Sequence, residues 1–247
     1  RTHPPEWRFE PGELKRVISN RTKAIVINTP ANPSGKVFSR AELESIADLA
    51  ISQDLFVFTD EIYEHFVYDG REHVSLASLP GMAGRTITIS GFSKLLSITG
   101  WRVGYSICDA RWARMIGYVN DLVYVCAPAP LQFAVAHGLR ELDLSYFPKL
   151  CAEYQQKRDW ICQALTEAGM TPYAPDGAYY VLADASHLPG ETSKEKTMHF
   201  LSQAGVAGVP GEAFFHDGTG ENLIRFCFAK SQAELEEACR KIRSFRM

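Results

Sequence analysis

Short apolar runs separated by stretches of helical spacing are the main feature of the first hundred residues. The runs at residues 24–28, 56–60 and 86–90 are rich in β-branched and aromatic side chains, and such runs predict buried parallel strands. A fourth strand is predicted over residues 101–108. After Ser39, apolar residues recur on one helical face, namely Leu43, Ile46, Ala47, Ala50 and Ile51. Strands alternating with helices predict an α/β fold whose mostly parallel sheet is flanked by helices.

The chain after residue 109 is predicted to be mostly helical, with short strands near its end. The predicted helices cover residues 109–123, 131–142 and 146–168. The predicted strands cover residues 178–184, 206–209 and 222–228. This change of pattern indicates two domains, a large one over residues 1–145 and a smaller C-terminal α+β domain over residues 146–247.

Three helix starts carry the pattern of a capping box, in which Ser or Thr precedes a helix and Glu follows three residues later. These boxes begin at Ser39, Thr192 and Ser231. The helix after Ser231 is expected to bury one apolar face, made of Leu235, Ala238, Cys239 and Ile242. Because the box bonds backbone N–H groups that a helix start leaves open, it predicts the residue at which each helix begins.

Composition and charge exclude several functional classes. The chain has 247 residues, is 46% apolar, and carries 26 Lys and Arg against 29 Asp and Glu, for a net charge of −3. This balance argues against a disordered chain and supplies no electrostatic reason to bind nucleic acid or a membrane, so neither partner is expected. The longest uncharged run, residues 122–139, contains Pro128 and Pro130 and is interpreted as a packed loop and helix.

Cysteines and histidines bear on the compartment and on metals. The six cysteines form no C-x-x-C pair and several lie in apolar segments, so we expect reduced core residues of a cytoplasmic protein. The seven histidines do not have metal-binding spacing, and no protein-bound metal is predicted. The sequence also lacks a phosphate loop, a dinucleotide fingerprint after a strand, and an H-E-x-x-H motif.

Three polar residues follow predicted strands, where ligands bind in open α/β sheets. Asp60 ends the second strand, Lys94 comes just after the third, and Asn32 lies in a Pro-rich turn after the first. Each has an ordinary alternative, as a helix cap, a solvated loop residue and a turn residue respectively. Arg102 can likewise be a residue stacked on an aromatic ring. Their combined order along the chain is what favours a shared site.

That order resembles a known family. Residues 91–104 read G-F-S-K-L-L-S-I-T-G-W-R-V-G, which resembles the cofactor-lysine signature of class I/II pyridoxal-phosphate-dependent aminotransferases. Asn32-Pro33 looks like the family's Asn-Pro turn, and Asp60 with Tyr63 looks like its Asp-x-x-Tyr strand end. Arg225 looks like its late carboxylate-binding Arg. The resemblance implies the PLP-dependent transferase fold, fold type I and similar to aspartate aminotransferase, with pyridoxal 5'-phosphate as cofactor.

The resemblance also implies a role for each matching residue. Lys94 would form a Schiff base with the cofactor aldehyde and, once released, act as general acid and base at the substrate Cα. Asp60 would keep the pyridine nitrogen of the cofactor protonated. Asn32 and Tyr63 would hydrogen-bond the phenolic oxygen of its ring. Arg102 would hold its phosphate.

Arg225 would bind the substrate α-carboxylate, because a guanidinium pairs with a carboxylate through two parallel hydrogen bonds. It alternates with Phe226 on a predicted strand, so Arg225 can face the cleft while Phe226 packs behind.

Many relatives carry a phosphate-binding Ser three residues before the lysine. This chain has Gly91 at that position and so lacks this hydroxyl donor to the cofactor phosphate. Ser93 would partly compensate for the lost donor. By resemblance, the Asn32-Pro33 peptide is also expected to be cis.

Relatives in this family begin with a longer N-terminal portion, which carries a phosphate-binding loop, an aromatic residue on the cofactor ring and dimer contacts. We therefore expect that portion of the working enzyme to lie outside this chain, and the intact protein to be a homodimer.

Four aromatic residues that could line a pocket are interpreted as core residues, namely Tyr179, Tyr180, Phe214 and Phe215.

The leading hypothesis is a cytoplasmic aminotransferase that moves an amino group from an L-amino acid to a 2-oxo acid through Lys94. A PLP-dependent lyase or synthase on the same fold is the first alternative, because the cofactor residues would be the same. The second alternative is the cofactor-sensing, aminotransferase-like domain of a transcription regulator. Released ammonia would indicate the lyase, and an upstream helix-turn-helix would indicate the regulator.

Overall fold

Two sheets and their helices make up the fold, in a computed structural model that describes residues 2–215 and 218–245. In that part of the chain the strands are β1 (Thr2–His3), β2 (Arg8–Phe9), β3 (Ala24–Asn28), β4 (Phe56–Asp60), β5 (Thr86–Gly91), β6 (Gly104–Ile107), β7 (Thr171–Tyr173), β8 (Tyr180–Asp184), β9 (Val209–Pro210) and β10 (Leu223–Cys227). The helices are α1 (Pro11–Val17), α2 (Arg40–Ser52), α3 (Phe92–Leu95), α4 (Ala110–Val123), α5 (Ala129–Glu141), α6 (Tyr146–Glu167), α7 (Ser193–Ala204) and α8 (Gln232–Ser244).

The first sheet has the order β3-β4-β5-β6, with β3, β4 and β5 parallel and β6 antiparallel to β5. The α/β prediction is confirmed, and the first three strands lie where the apolar runs place them. The fourth strand is shorter than predicted. Residues Thr99–Trp101 form a 3-10 helix, and Arg102 has a positive φ of 57°, so extended pairing begins only at Gly104.

Helix α2 covers one face of this sheet. Its Leu43 and Ile46 pack against Ile25 and Val57 in one apolar cluster. The prediction that Ile51 shares this buried face is wrong, because Ile51 is 41% exposed one residue before the helix ends. The last turn of α2 therefore projects beyond the edge of the cluster.

The other face of the first sheet is partly open within the described residues. Val26 is 77% exposed, and Ile89, which points to the same side of the sheet, is also exposed. Helix α4 adds further exposed apolar side chains, namely Met115, Tyr118, Val119, Leu122 and Val123. Exposed apolar surface on this scale is typical of an interface.

The second sheet has the order β7-β8-β10-β9, and all its pairs are antiparallel. The strand predicted at residues 206–209 is observed at Val209–Pro210, because only these two residues pair with β10, opposite Arg225 and Ile224. Helices α6 and α8 pack together through Ile161, Leu165 and other buried residues of the same apolar cluster.

One apolar cluster joins the two sheets. Tyr63, Phe66 and Tyr68, which follow β4, belong to the same buried cluster as Ile161 of α6 and Val181 of β8. The segment after β4 is therefore part of the core that holds the second sheet against the first. The division at residues 145 and 146 remains a prediction.

The three predicted capping boxes are confirmed. The Ser39, Thr192 and Ser231 hydroxyls each accept a hydrogen bond from the backbone N–H three residues later, and the Glu at that position bonds back to the cap. Helices α2, α7 and α8 each begin one residue after their capping residue.

The cysteines depart from the prediction that they are core residues. All six thiols are free, but Cys126 and Cys227 are exposed and only Cys239 is buried. Cys126 follows α4 on a loop. Cys227 lies on β10 between buried Phe226 and Phe228, so strand alternation turns its side chain away from the core.

No helix within residues 2–215 and 218–245 is long and apolar enough to cross a membrane.

Candidate functional site

A cavity of about 610 Å³ lies at the carboxyl end of the first sheet, where open α/β sheets bind ligands. The structure brings all six residues predicted to bind the cofactor to its wall, namely Asn32, Asp60, Tyr63, Ser93, Lys94 and Arg102. Because β3, β4 and β5 are parallel, the turns and helices that follow them meet at one edge of the sheet. Residues that are far apart in the sequence therefore lie together because of the topology of the sheet.

Asp60 is the last residue of β4 and lies opposite Asn28 of β3. The Asn28 side-chain amide donates to the Asp60 carbonyl oxygen at 3.0 Å. One Asp60 carboxylate oxygen, Oδ1, accepts from the Ile62 backbone N–H at 3.1 Å, which is the capping role considered as its ordinary alternative. Asp60 is half-buried and lines the cavity, so the cap also orients its carboxylate toward that space.

Asn32 lies in a tight turn after β3. Its backbone N–H donates to Asn28 Oδ1 at 2.7 Å, and the Asn32-Pro33 peptide is cis, as the resemblance predicts. Gly35 has a positive φ of 70°, and a Cβ there would lie 2.1 Å from the Pro175 Cβ. The Gly177 N–H donates to the Gly35 carbonyl at 2.8 Å. This close backbone approach packs the Asn32 turn against the segment that leads into β8.

Lys94 lies on α3, immediately after β5, and is half-buried. Its Nζ lies 5.9 Å from the centre of the Tyr179 ring. Ser93 precedes it, and the Ser93 carbonyl accepts from the Thr99 hydroxyl at 3.0 Å. Arg102 is exposed and donates from Nη1 to the Thr99 carbonyl at 2.8 Å. The lysine amine and the guanidinium thus line one cavity.

The close packing of two strands explains why position 91 is a glycine. Here β5 and β6 approach so closely that a Cβ at Gly91 would lie 2.9 Å from the Gly104 Cα and 3.1 Å from the Val103 carbonyl oxygen. A Cβ at Gly104 would in turn lie 3.0 Å from the Ser90 carbonyl oxygen. A serine side chain at position 91 does not fit without moving the strands, which accounts for the glycine.

Tyr63 is 3% exposed and packs within an aromatic cluster. The ring centres of Tyr63 and Tyr179 are 5.0 Å apart, and those of Tyr63 and Tyr180 are 6.1 Å apart, both edge to face. Burial raises the pKa of Tyr63 well above its ordinary value, and hydrogen bonding with Tyr180 acts in the same direction. Burial likewise raises the pKa of Tyr179. These phenols therefore remain neutral and can donate hydrogen bonds.

Arg225 lies on β10 and reaches the cavity wall through Asn32. Its Nη1 donates to Asn32 Oδ1 at 2.7 Å. Its guanidinium carbon lies 4.1 Å from the Tyr180 ring centre and 4.5 Å from the Phe214 ring centre. Phe226 packs behind it in the core, as strand alternation predicts. Arg225 Nε is buried without a hydrogen-bond partner among the described residues.

The aromatic residues interpreted as core have more varied roles than predicted. Tyr179 is buried in the core, as predicted, and its ring also lies near Lys94, whereas Tyr180 and Phe214 flank Arg225. Phe215 does pack in a core, where it stacks on Trp7. In the sequence, the signal for this arrangement was the pair Tyr179 and Tyr180 where β8 begins, because β8 pairs with β10, the strand of Arg225. The direction of each side chain depends on the register between these two strands, which the sequence does not show.

Comparison with known proteins gives a consistent result. The family described as aminotransferase class I and II matches residues 1–242. The chain is 39% identical over 234 residues to an aspartate aminotransferase of Pyrococcus abyssi, covering 94% of this chain and 59% of that protein. It is 36% identical over 254 residues to a kynurenine–oxoglutarate transaminase of Dictyostelium discoideum, covering 94% of this chain and 58% of that protein.

A solved structure shares the fold. The N-succinyldiaminopimelate aminotransferase of Mycobacterium tuberculosis superposes with a TM-score of 0.92 at 34% identity, covering 98% of this chain and 63% of that one. The chain thus spans about three fifths of the length of the relatives it matches. The fold is the type I fold of these enzymes, and the chain belongs to the class I and II aminotransferase family.

Proposed function

We propose that this chain is part of a pyridoxal-phosphate-dependent aminotransferase that moves an amino group from an L-amino acid to a 2-oxo acid. One observation carries the proposal. Lys94, Asp60 and Arg102 line a single cavity, and Arg225 is bonded to Asn32 on its wall. An amine, a carboxylate and two guanidinium groups are the functional groups that an anionic, aldehyde-bearing pyridine cofactor and a carboxylate substrate require.

The donor set fits pyridoxal 5'-phosphate. Asp60 presents a carboxylate to the cavity, and Arg102 presents a guanidinium to it. Gly91 and Gly104 also line the cavity, and neither adds a side chain to its wall. When bound, the cofactor supplies an electron sink for the substrate Cα.

The residues of this chain then have distinct tasks. Asp60 holds a proton on the ring nitrogen, and Asn32 with Tyr63 orients the ring through its phenolic oxygen. Lys94 carries the cofactor and moves the proton at the substrate Cα. Arg102 binds the phosphate. Ser93, adjacent to Lys94 on the cavity wall, is a further phosphate donor.

Arg225 binds the substrate α-carboxylate in this proposal. Its guanidinium lies against the rings of Tyr180 and Phe214, and one edge is bonded to Asn32. A planar carboxylate approaches the remaining edge. Amino-group transfer is favoured over the lyase and regulator alternatives because the similar proteins described above are all aminotransferases or transaminases.

We also propose that the whole protein is a cytoplasmic homodimer with the domain division at residues 145 and 146. The six free thiols support a reducing compartment. The exposed apolar side chains of α4, such as Leu122 and Val123, support association with further protein surface.

The proposal is tested on the longest reading frame that contains this chain. After incubation with pyridoxal 5'-phosphate and reduction with borohydride, we expect the mass of the reduced cofactor on the peptide that carries Lys94. The Lys94→Ala protein should lose this mass, and Lys149→Ala, an exposed lysine, should keep it. Incubation with paired amino and 2-oxo acids should then form a new amino acid. Covalent capture by Lys94→Ala, or release of ammonia instead of a new amino acid, contradicts the proposal.

A further inference from the structure

A buried polar network lies behind the cavity, next to the ends of β4 and β5. At its centre is Glu61, which is 2% exposed. Its carboxylate accepts from the Ser75 hydroxyl at 2.9 Å and from the Thr59 hydroxyl at 3.2 Å, and it lies 2.9 Å from His73 Nε2. Burying a carboxylate is costly unless such donors surround it, so the network holds Glu61 firmly behind the strand that ends at Asp60.

A second carboxylate extends the network toward the lysine. Glu64 Oε1 accepts from the Ser90 hydroxyl at 2.8 Å and from the Tyr105 hydroxyl at 3.4 Å. Glu64 comes four residues after Asp60, and Ser90 comes four residues before Lys94. The Glu64–Ser90 bond therefore joins the segment that carries Asp60 to the strand that leads to Lys94.

The same two segments are also tied through backbone groups. The Glu61 N–H donates to the Ile89 carbonyl at 2.8 Å, and the Ser90 hydroxyl lies 3.5 Å from the Glu61 carbonyl. One polar side-chain atom from each of Glu61, Glu64 and His73 lies within 4.8 Å of the other two, so the two carboxylates belong to one cluster. The Glu64–Ser90 bond adds a direct side-chain link between the two segments.

We propose that Glu64 is a positioning residue that sets the distance between Asp60 and Lys94 through its bond to Ser90. The inference rests on the proposed function, in which Asp60 and Lys94 contact opposite ends of one cofactor ring. Glu64 is not on the cavity wall, so it acts on that ring only through other residues. A rigid ring held at both ends is sensitive to small displacements of either end, so loss of the link weakens cofactor binding.

The test compares variants of the longest reading frame that contains this chain, each titrated with pyridoxal 5'-phosphate. Glu64→Ala and Ser90→Ala should each weaken cofactor affinity by about tenfold, the lower end of what loss of an outer-shell hydrogen-bond partner costs at metal sites. Both should also move the pH midpoint at which the absorbance of the bound cofactor changes. Glu64→Gln, which keeps an acceptor oxygen, should restore most of the affinity. Glu72→Gln, an exposed carboxylate eight residues away, is the matched control and should match the wild type.

The double variant Glu64→Ala/Ser90→Ala decides whether the two residues act together. Positioning through one bond predicts that the double variant is no weaker than either single variant. Additive losses overturn the proposal. The proposal is also overturned if the single variants keep a cofactor affinity within about twofold of wild type and an unchanged pH midpoint while their thermal stability falls. That result would show a purely structural role. If Glu64→Ala does not fold, Ser90→Ala carries the same comparison. A wild-type protein that retains no cofactor overturns the proposed function itself, and this inference with it.

Discussion

Asn32 accepts a hydrogen bond from Arg225 across 2.7 Å, although the two residues are 193 positions apart in the chain. Asn32 lies in the turn after β3, and Arg225 lies on β10 in the second sheet. This bond therefore connects the proposed cofactor site in the cavity with the proposed carboxylate site. Because Nη1 is engaged by Asn32, the guanidinium is held in one orientation before any substrate arrives.

Replacing Arg225 with Lys should weaken substrate binding more than turnover. Lysine keeps the positive charge but loses the planar, two-point geometry that a carboxylate requires. We expect KM for both the amino acid and the 2-oxo acid to rise by about tenfold or more, with a smaller change in kcat. Steady-state kinetics of the overall reaction, with the amino acid and the 2-oxo acid varied in turn, measures this. Arg240→Lys, an exposed arginine on α8, is the control. Unchanged KM values would place the carboxylate site elsewhere.

Tyr180 should matter through its ring rather than its hydroxyl. The ring centre lies 4.1 Å from the Arg225 guanidinium, which is close enough for a cation–π contact. Tyr180→Leu should raise KM several-fold, whereas Tyr180→Phe should stay within about twofold of wild type. Equal effects of the two variants would assign the contribution to the hydroxyl and its bond with Tyr63.

Gly91→Ala should destabilise the fold where β5 meets β6. The added Cβ would lie 2.9 Å from the Gly104 Cα, a backbone atom that cannot move aside cheaply. We expect the free energy of unfolding to fall by about 1–3 kcal/mol, the usual cost of overpacking. Gly100→Ala, whose added Cβ would have no atom of the described residues within 4 Å, should be close to neutral. Denaturant titration compares the two, and equal stabilities would refute the steric reason for glycine at position 91.

Glu42 should make stability depend on acid pH. Burial by itself would raise the pKa of Glu42, but hydrogen bonds from the Lys36 ammonium at 2.8 Å and from Ser39 favour its charged form, and the net result is a lowered pKa. A group with a lowered pKa in the folded state stabilises the fold above its unfolded pKa, about 4.3 for Glu, and loses that contribution as the pH falls further.

The thermal midpoint of the wild type should therefore fall more steeply below about pH 4.3 than that of Glu42→Gln. The two proteins should differ most near neutral pH and converge in acid. Glu44→Gln, an exposed glutamate on the same helix, should follow the wild-type curve. Parallel curves for wild type and Glu42→Gln would show that the Lys36 pair contributes nothing to the pH dependence.

Local patterns were sufficient for the three parallel strands of the first sheet and for three helix starts. The capping boxes at Ser39, Thr192 and Ser231 involve groups only three residues apart, so each helix start is encoded in a few neighbouring positions. The apolar runs at β3, β4 and β5 likewise match the composition typical of parallel strands. Errors fell where burial depends on distant partners, as for Ile51 at the edge of its cluster and Cys227 on the outer side of β10.

By itself, the sequence determined the order of the main strands and helices, three helix starts and the residues whose chemistry could form a site, because these depend on local spacing and side-chain type. Tertiary structure alone decided how those residues meet. The parallel arrangement of β3, β4 and β5 brings Asn32, Asp60 and Lys94 to one edge, and the register of the second sheet places Tyr180 against Arg225. Contacts between residues far apart in the chain depend on strand register and packing, and no local pattern encodes either.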